Sequence, residues 1–236
     1  QNATINNYIR NLKVYFNFMA DNYMIKVNPF DKVKFLKSQR KKKAFIKDEE
    51  FYKLLKCLDT TKYAEFRDYV VIQLVFDTGM RIGETLLIDT TTDLDLQNRA
   101  IRLRAEITKA KVARTVFFSV KMCELLKKWI KFKDRYIESS LLFPVQLRDK
   151  PLFVNNFEKN YKKYCNRVGI EECSPHGLRN NFAKRFLMSG GDIYTLSRIL
   201  GHSSVKVTEQ CYLDLDDEDI RKNYQRYSPL ANLKRV

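Results

Sequence analysis

The chain has 236 residues, and its 44 Lys and Arg side chains against 28 Asp and Glu give a formal net charge of +16. Hydrophobic residues make up 44% and aromatic residues 13% of the chain, and this much apolar surface excludes a disordered protein. No apolar run approaches the roughly 20 residues of a membrane-spanning helix, and no signal peptide is expected.

The positive charge is unevenly distributed. Residues 214–236 hold five acidic and five basic side chains, so the whole excess lies before them. Its densest part includes four residues that we expect to contact phosphates: Arg40, Lys41, Lys42 and Lys43. A nucleic acid is the partner that best tolerates this excess. A basic surface without a partner and an anionic membrane are weaker interpretations.

Helical periodicity covers most of the chain. It predicts helices at 4–20, 48–58, 63–78, 122–130, 156–168, 175–190, 193–200, 207–213 and 216–227. We expect Gly79 to end the third helix, and Ser174 and Pro175 to begin the helix that follows them.

Between the third and fourth predicted helices, apolar and polar residues alternate with a period of two. This pattern predicts short strands at 94–96, 100–104 and 115–118. The fold class predicted is therefore mainly α with a small three-stranded antiparallel sheet (α+β). The polar, basic segment 31–44 is predicted to be a linker.

The cysteines favour a reducing cytoplasm. They are five in number, Cys57, Cys123, Cys165, Cys173 and Cys211, and none forms a Cys-x-x-Cys pair. Cys165, Cys173 and His176 are conceivable zinc ligands, but a structural zinc site needs a fourth, and none is evident. We expect buried thiols, no metal and no cofactor.

Several short motifs contain side chains suited to chemistry. They are Thr78-Gly79-Met80-Arg81-Ile82-Gly83-Glu84, a lysine in the predicted hairpin (Lys109, with Lys111 as rival), His176-Gly177-Leu178-Arg179, Leu200-Gly201-His202, and Tyr212. Each alone has an ordinary structural explanation: a surface arginine, a capping histidine, a polar turn, or one tyrosine among thirteen. Their order and spacing together are more specific.

This order of motifs resembles the tyrosine recombinase (phage integrase) family over about residues 45–227. Within the family, the sequence is similar to integrases of Gram-positive phages and conjugative transposons. The resemblance implies the family's catalytic-domain fold at 45–213, the end of a helical core-binding domain at 1–30, and a tail at 214–236. It also implies a site-specific recombinase that integrates and excises a mobile element through a 3′-phosphotyrosyl intermediate.

The family pattern assigns a role to each motif residue. Arg81, His176, Arg179 and His202 would surround the scissile phosphate, Glu84 would orient its neighbours, and Tyr212 would be the nucleophile. Guanidinium groups suit this chemistry because they bind phosphate oxygens in pairs and stay protonated. As hypotheses, His176 takes the proton of Tyr212, and Lys109 protonates the 5′-oxygen that leaves.

The resemblance further implies double-stranded DNA as substrate, a homotetramer on DNA, and an accessory directionality factor. The tail would dock on a neighbouring protomer, although packing on its own domain is equally compatible with the sequence. Two alternatives remain. Residues 193–205 also resemble a helix-turn-helix, which would make the chain a non-catalytic DNA binder. A type IB topoisomerase would use the same chemistry to relax supercoils.

Overall fold

The protein is represented by a computed structural model that describes residues 2–37, 45–171, 174–202 and 204–212, together with Glu218, Arg221 and Tyr224. The predicted phosphate contacts Arg40, Lys41, Lys42 and Lys43 lie outside the described residues, as does most of the tail. The chain divides into two compact units, Gln1–Lys42 and Lys43–Val236. The domain boundaries at 30, 44 and 213 stay predictions.

The first unit is one long helix with the following segment returning along it. This helix is α1 (Asn2–Asp21). The side-chain amide of Asn6 donates to the carbonyl of Leu36 (2.9 Å) and accepts from its N–H (2.8 Å). Phe16 stacks on Phe30 with 5.3 Å between ring centroids. No residue of α1 is buried, so the apolar face predicted there is largely uncovered within this unit.

Helices also form most of the second unit. They are α2 (Asp48–Lys56), α3 (Tyr63–Thr78), α4 (Ile82–Thr85), α5 (Val120–Lys133), α6 (Val154–Arg167), α7 (Pro175–Met188), α8 (Ile193–Leu200) and α9 (Val205–Tyr212). The most deeply buried of them is α3, which packs against α5, α6 and α7. Gly79 ends α3 with φ +67°, and the Ser174 side chain caps α7 by accepting from the N–H of Gly177, both as predicted.

A three-stranded antiparallel sheet follows α4 and confirms the predicted fold class. Its strands are β1 (Leu94–Asp95), β2 (Ala100–Leu103) and β3 (Arg114–Phe117), in the order β1-β2-β3. Leu94 and Val116 both pair with Ile101, which is fully buried. The loop between β2 and β3 carries Lys109 and Lys111.

The prediction missed several short elements, among them a hairpin and a helix. A second antiparallel hairpin joins β4 (Pro144–Val145) to β5 (Arg148–Pro151). Each of its strands contains a proline and neither alternates clearly, so the usual strand signals are absent. The other is the four-residue helix α4, which is too short to show helical periodicity in the sequence.

The core of the second unit centres on Trp129 of α5, which is fully buried. Its indole N–H donates to the carbonyl of Leu142 (2.8 Å), and its ring packs against Tyr63 and Phe66 of α3. Among the described residues, no three His, Cys, Asp or Glu side chains are grouped so that they could hold a metal ion. No helix within the described ranges is long and apolar enough to cross a membrane.

Candidate active site

The turn after α3 positions Arg81. Gly79 has left-handed backbone angles, and a Cβ atom there would lie 2.3 Å from the Phe182 ring, so any other residue would be strained and would have to displace that ring. Arg81 immediately precedes α4, and its backbone N–H donates to Glu84 Oε2 (3.0 Å) while its Nη1 donates to Glu84 Oε1 (3.0 Å). Glu84 therefore holds both the backbone and the side chain of Arg81.

Arg81 and Arg179 meet at the C-terminal end of α8, although they are far apart in sequence. Arg179 Nη2 donates to the carbonyl of Leu200 (2.7 Å), and Arg81 Nη1 reaches the same oxygen at 3.4 Å. Arg81 Nη2 also donates to the carbonyl of Gly201 (3.3 Å), and Arg179 Nη1 to that of Gly79 (2.7 Å). The last carbonyls of a helix have no partner within it, so they attract these donors.

His202 completes this group. Its Nε2 lies 3.0 Å from Arg179 Nη2, and its Nδ1 lies 2.8 Å from the Thr208 hydroxyl. Arginine can only donate, so Nε2 accepts and the proton lies on Nδ1, which donates to Thr208. The His202 ring is thereby fixed between α7 and α9.

Tyr212 is the last residue of α9, and its side chain lies outside the described residues. Its backbone position is one turn after Thr208, so both positions lie on the same face of the helix. Because Thr208 contacts His202, this face of α9 is the one turned toward His202.

The two candidate lysines lie on another side of Arg81, where an open cleft of about 430 Å³ is lined by Arg81, Glu84, Glu106, Lys109 and Lys111, among others. Lys109 is exposed. Lys111 has φ +54°, and its ammonium donates to the carbonyl of Glu106 (3.2 Å).

His176 lies in the first turn of α7, one turn before Arg179, and is exposed. The helix thus presents a buried arginine to the end of α8 and an exposed histidine near its own N-terminus. The structure brings Arg81, Glu84, Arg179 and His202 together through described contacts. It places Lys109 and Lys111 at the same cleft as Arg81.

Sequence reasoning missed Arg114 of β3, which belongs to this cluster. Its Nη2 and Nη1 donate to Glu84 Oε2 (2.6 Å) and Oε1 (3.1 Å). Burial raises the pKa of the Glu84 carboxyl, but hydrogen bonds and charge from Arg114, aided by Arg81, outweigh burial and hold that pKa below its usual value. The guanidinium groups of Arg81 and Arg114 bind one ionised carboxylate, and Arg179 lies at the same helix end as Arg81. The cluster therefore carries a net positive charge suited to an anionic ligand.

Comparisons with known proteins identify the family of the chain. The phage integrase family model matches residues 44–219. Tyrosine recombinase XerC of Thermodesulfovibrio yellowstonii is 28% identical over 97% of this chain and 77% of its own length. Tyrosine recombinase XerA of Saccharolobus solfataricus is 33% identical over 80% of this chain and 58% of its own length.

Two solved structures share the fold. The Tn1549 transposon integrase in complex with transposon right end DNA has a TM-score of 0.75 at 18% identity, covering 95% of this chain and 79% of its own. The XerH site-specific recombinase bound to palindromic difH substrate has a TM-score of 0.77 at 21% identity, covering 95% and 67%.

The helical domain with its small antiparallel sheet is the catalytic-domain fold of tyrosine recombinases. The chain belongs to the phage integrase family, and it is a site-specific recombinase of the tyrosine class. The predicted family, fold class and enzyme class are confirmed.

Proposed function

We propose that the protein breaks and rejoins DNA strands at specific sites through a covalent 3′-phosphotyrosyl link to Tyr212, without metal, ATP or cofactor. The observation that supports this most directly is the convergence of Arg81, Arg179 and His202 at the end of α8. The two fixed guanidinium groups are the donors that a phosphodiester needs when negative charge gathers on its non-bridging oxygens in the transition state, and His202 holds Arg179 in place.

The two arginines differ in how they would meet the phosphate. The Arg81 side chain is 27% exposed, and its bonds to Leu200 and Gly201 are long, so it can exchange them for phosphate oxygens. Arg179 is buried and makes two short bonds to carbonyls. We infer that Arg81 provides the main bidentate contact, while Arg179 supplies charge and holds His202 in place.

The bond changes of this reaction balance without a further reactant. The Tyr212 hydroxyl oxygen forms a bond to phosphorus, and the bond from phosphorus to the 5′-oxygen breaks. His176 takes the phenolic proton, and Lys109 gives a proton to the 5′-oxygen. We favour Lys109 over Lys111 because the Lys111 ammonium is already bound to a backbone carbonyl. Attack of a 5′-hydroxyl on the phosphotyrosyl bond reverses these steps and joins strands.

The partner of this site is double-stranded DNA, which fits the net charge of +16. Solved relatives of the same fold are bound to DNA sites. We propose that Arg40, Lys41, Lys42 and Lys43 contact phosphates beyond the cleft, that the chain acts as a homotetramer on DNA in the cytoplasm, and that residues 214–236 dock between protomers. Integration and excision of a mobile element, aided by a directionality factor, is the biological role proposed.

The decisive test uses Tyr212→Phe. The DNA site is first selected from a random-sequence duplex pool by binding to the protein, then nicked so that cleavage traps the adduct. In EDTA the wild type should give a DNA-linked protein band on a denaturing gel, and Tyr212→Phe should give none. Tyr52→Phe, which removes the hydroxyl of an exposed tyrosine on α2, is the matched control and should leave the band unchanged.

Other outcomes distinguish the alternatives. A wild type that binds DNA but forms no adduct would be a non-catalytic binder, and the proposal would be wrong. An adduct accompanied by plasmid relaxation, without strand exchange between two sites, would indicate a topoisomerase.

A further inference from the structure

An arginine lies on the inner face of β3, where an apolar residue is expected. Along this strand Val116 is buried and Thr115 and Phe117 are exposed, so Arg114 shares the inward phase of Val116. In the antiparallel register it pairs with Leu103, which is fully buried. Only 10% of the Arg114 side chain is exposed. A buried charge is costly without a partner, so this position requires an explanation.

The partner is Glu84, the carboxylate that also holds Arg81. Both terminal nitrogens of Arg114 bind Glu84, at 2.6 and 3.1 Å. Each Glu84 oxygen thus receives one bond from Arg114 and one from Arg81, whose contributions are its Nη1 and its backbone N–H. Without Arg114, the carboxylate would lose the contacts that fix its plane.

Arg114 also reaches a third element. Its Nε donates to the carbonyl of Ile199 (3.0 Å), next to the carbonyls of Leu200 and Gly201 that Arg81 contacts. One side chain therefore ties α4, β3 and the end of α8 together. The strand β3 directly follows the loop that carries Lys109. The contacts of Arg114 therefore also connect that loop with the position of Arg81.

We propose that Arg114 is a positioning residue, which holds Glu84 and through it aims the Arg81 guanidinium at the scissile phosphate. This role requires arginine, because a lysine ammonium cannot make a planar fork to a carboxylate and a separate Nε bond. The inference rests on the cleavage chemistry proposed above, and it concerns the orientation of Arg81 rather than the identity of the nucleophile.

The charges around Glu84 support this assignment. Arg81 faces it from the start of α4, Arg114 from β3, and Glu106, Lys109 and Lys111 line the adjoining cleft. The two arginines hold its pKa low in spite of burial, so it stays ionised and accepts from both. Without Arg114, Arg81 would be the only arginine bound to the buried Glu84 carboxylate. We expect the carboxylate then to draw the Arg81 guanidinium away from the cleft.

The test compares Arg114→Lys and Arg114→Met with the wild type on two substrates. One is the nicked duplex selected above. The other carries an uncharged methylphosphonate at the cleavage position mapped with the wild type. On the charged diester, both variants should form the adduct on the order of 100-fold more slowly, with DNA affinity changed less than about threefold. On the neutral substrate, which needs no guanidinium to neutralise its oxygens, the deficit should shrink to a few-fold.

Arg81→Ala provides the reference. Its rate deficit on the charged diester should be larger than that of the Arg114 variants, and it too should shrink on the neutral substrate. Arg167→Met is the matched control, because Arg167 also makes a two-pronged contact, with Glu65, but touches none of the site residues. It should cleave both substrates at the wild-type rate. If Arg114→Met does not fold, Arg114→Lys keeps the charge and still breaks the fork.

An equal deficit of the Arg114 variants on both substrates would overturn the positioning role, while the wild-type adduct would leave the cleavage proposal standing. A wild type that forms no Tyr212-dependent adduct on the diester would overturn the cleavage proposal, and this inference with it.

Discussion

Two buried carboxylates of the second unit, Glu84 and Asp68, are each bound by a neighbouring arginine, yet they serve different ends. Asp68 on α3 is fully buried, and Arg67 beside it is 3% exposed. Arg67 donates to one Asp68 oxygen, and Asn160 and Tyr164 of α6 donate to the other. Both charged members of this group are buried, and the group joins α3 to α6.

Glu84 is equally buried, but its arginine opens onto the cleft, since 27% of the Arg81 side chain is exposed. The pKa values differ accordingly. Burial raises the pKa of Asp68 in spite of Arg67 and the neutral donors, whereas two arginines bring that of Glu84 below its usual value. A buried ion pair alone therefore does not indicate a functional site. What distinguishes the Glu84 group is surplus positive charge next to open space.

The largest expected difference is between Arg81→Lys and Arg67→Lys. Both changes keep the charge and remove the planar fork. Arg81→Lys should slow adduct formation on the order of 100-fold, because a donor to the transition-state oxygens is lost. Arg67→Lys should lower the free energy of unfolding by about 3 kcal/mol and leave the cleavage rate of the folded molecules unchanged. Single-turnover gels and urea unfolding measure the two quantities. If both variants slowed adduct formation equally, the functional distinction between the Glu84 and Asp68 groups would be wrong.

The second prediction concerns pH and uses Glu84→Gln and Asp68→Asn. The folded-state pKa of Glu84 is lowered, so its contribution is complete above its unfolded value of about 4.3 and is lost as pH falls through the folded value. Glu84→Gln should therefore cost about 3 kcal/mol at pH 7 and less in acid.

Asp68 should behave in the opposite way. Because its folded-state pKa is raised, the wild type loses stability as pH rises from the unfolded value of about 3.9. Asp68→Asn should be most destabilising in acid and less so at neutral pH. Urea unfolding at pH 3.5, 5 and 7 measures both trends, and parallel curves for the two variants would contradict the pKa assignment.

The same contrast explains which parts of the site the sequence could predict. Arg81, Arg179 and His202 belong to contiguous motifs next to glycines, and α3, α7 and α8 have strong periodicity or caps. Arg114 has no motif around it. Its only signal is a charge in the inward phase of a four-residue strand, and that phase is visible only when the strand limits are known. Thr208 and the carbonyl of Leu200 become part of the site through tertiary contacts alone.

The smallest effects should come from two glycines that end the helices on either side of this comparison. Gly79 ends α3 near Glu84, and Gly169 follows α6, whose Asn160 and Tyr164 donate to Asp68. Both glycines have positive φ, +67° and +74°. A Cβ atom at Gly169 would meet nothing within 4 Å, whereas at Gly79 it would meet Phe182 and Leu200. Gly169→Ala should cost about 1 kcal/mol for its backbone conformation alone. Gly79→Ala should cost about 2 kcal/mol, since the Phe182 ring must also move.

Of the two substitutions, only Gly79→Ala should change the rate of adduct formation. The carbonyl of Gly79 accepts from Arg179, and Leu200 is the residue on which both arginines converge. Gly79→Ala should therefore slow adduct formation several-fold at a temperature where both variants are fully folded, and Gly169→Ala should not. If both variants cleave like the wild type, the turn at Gly79 serves stability alone, and the orientation of the arginines tolerates its displacement.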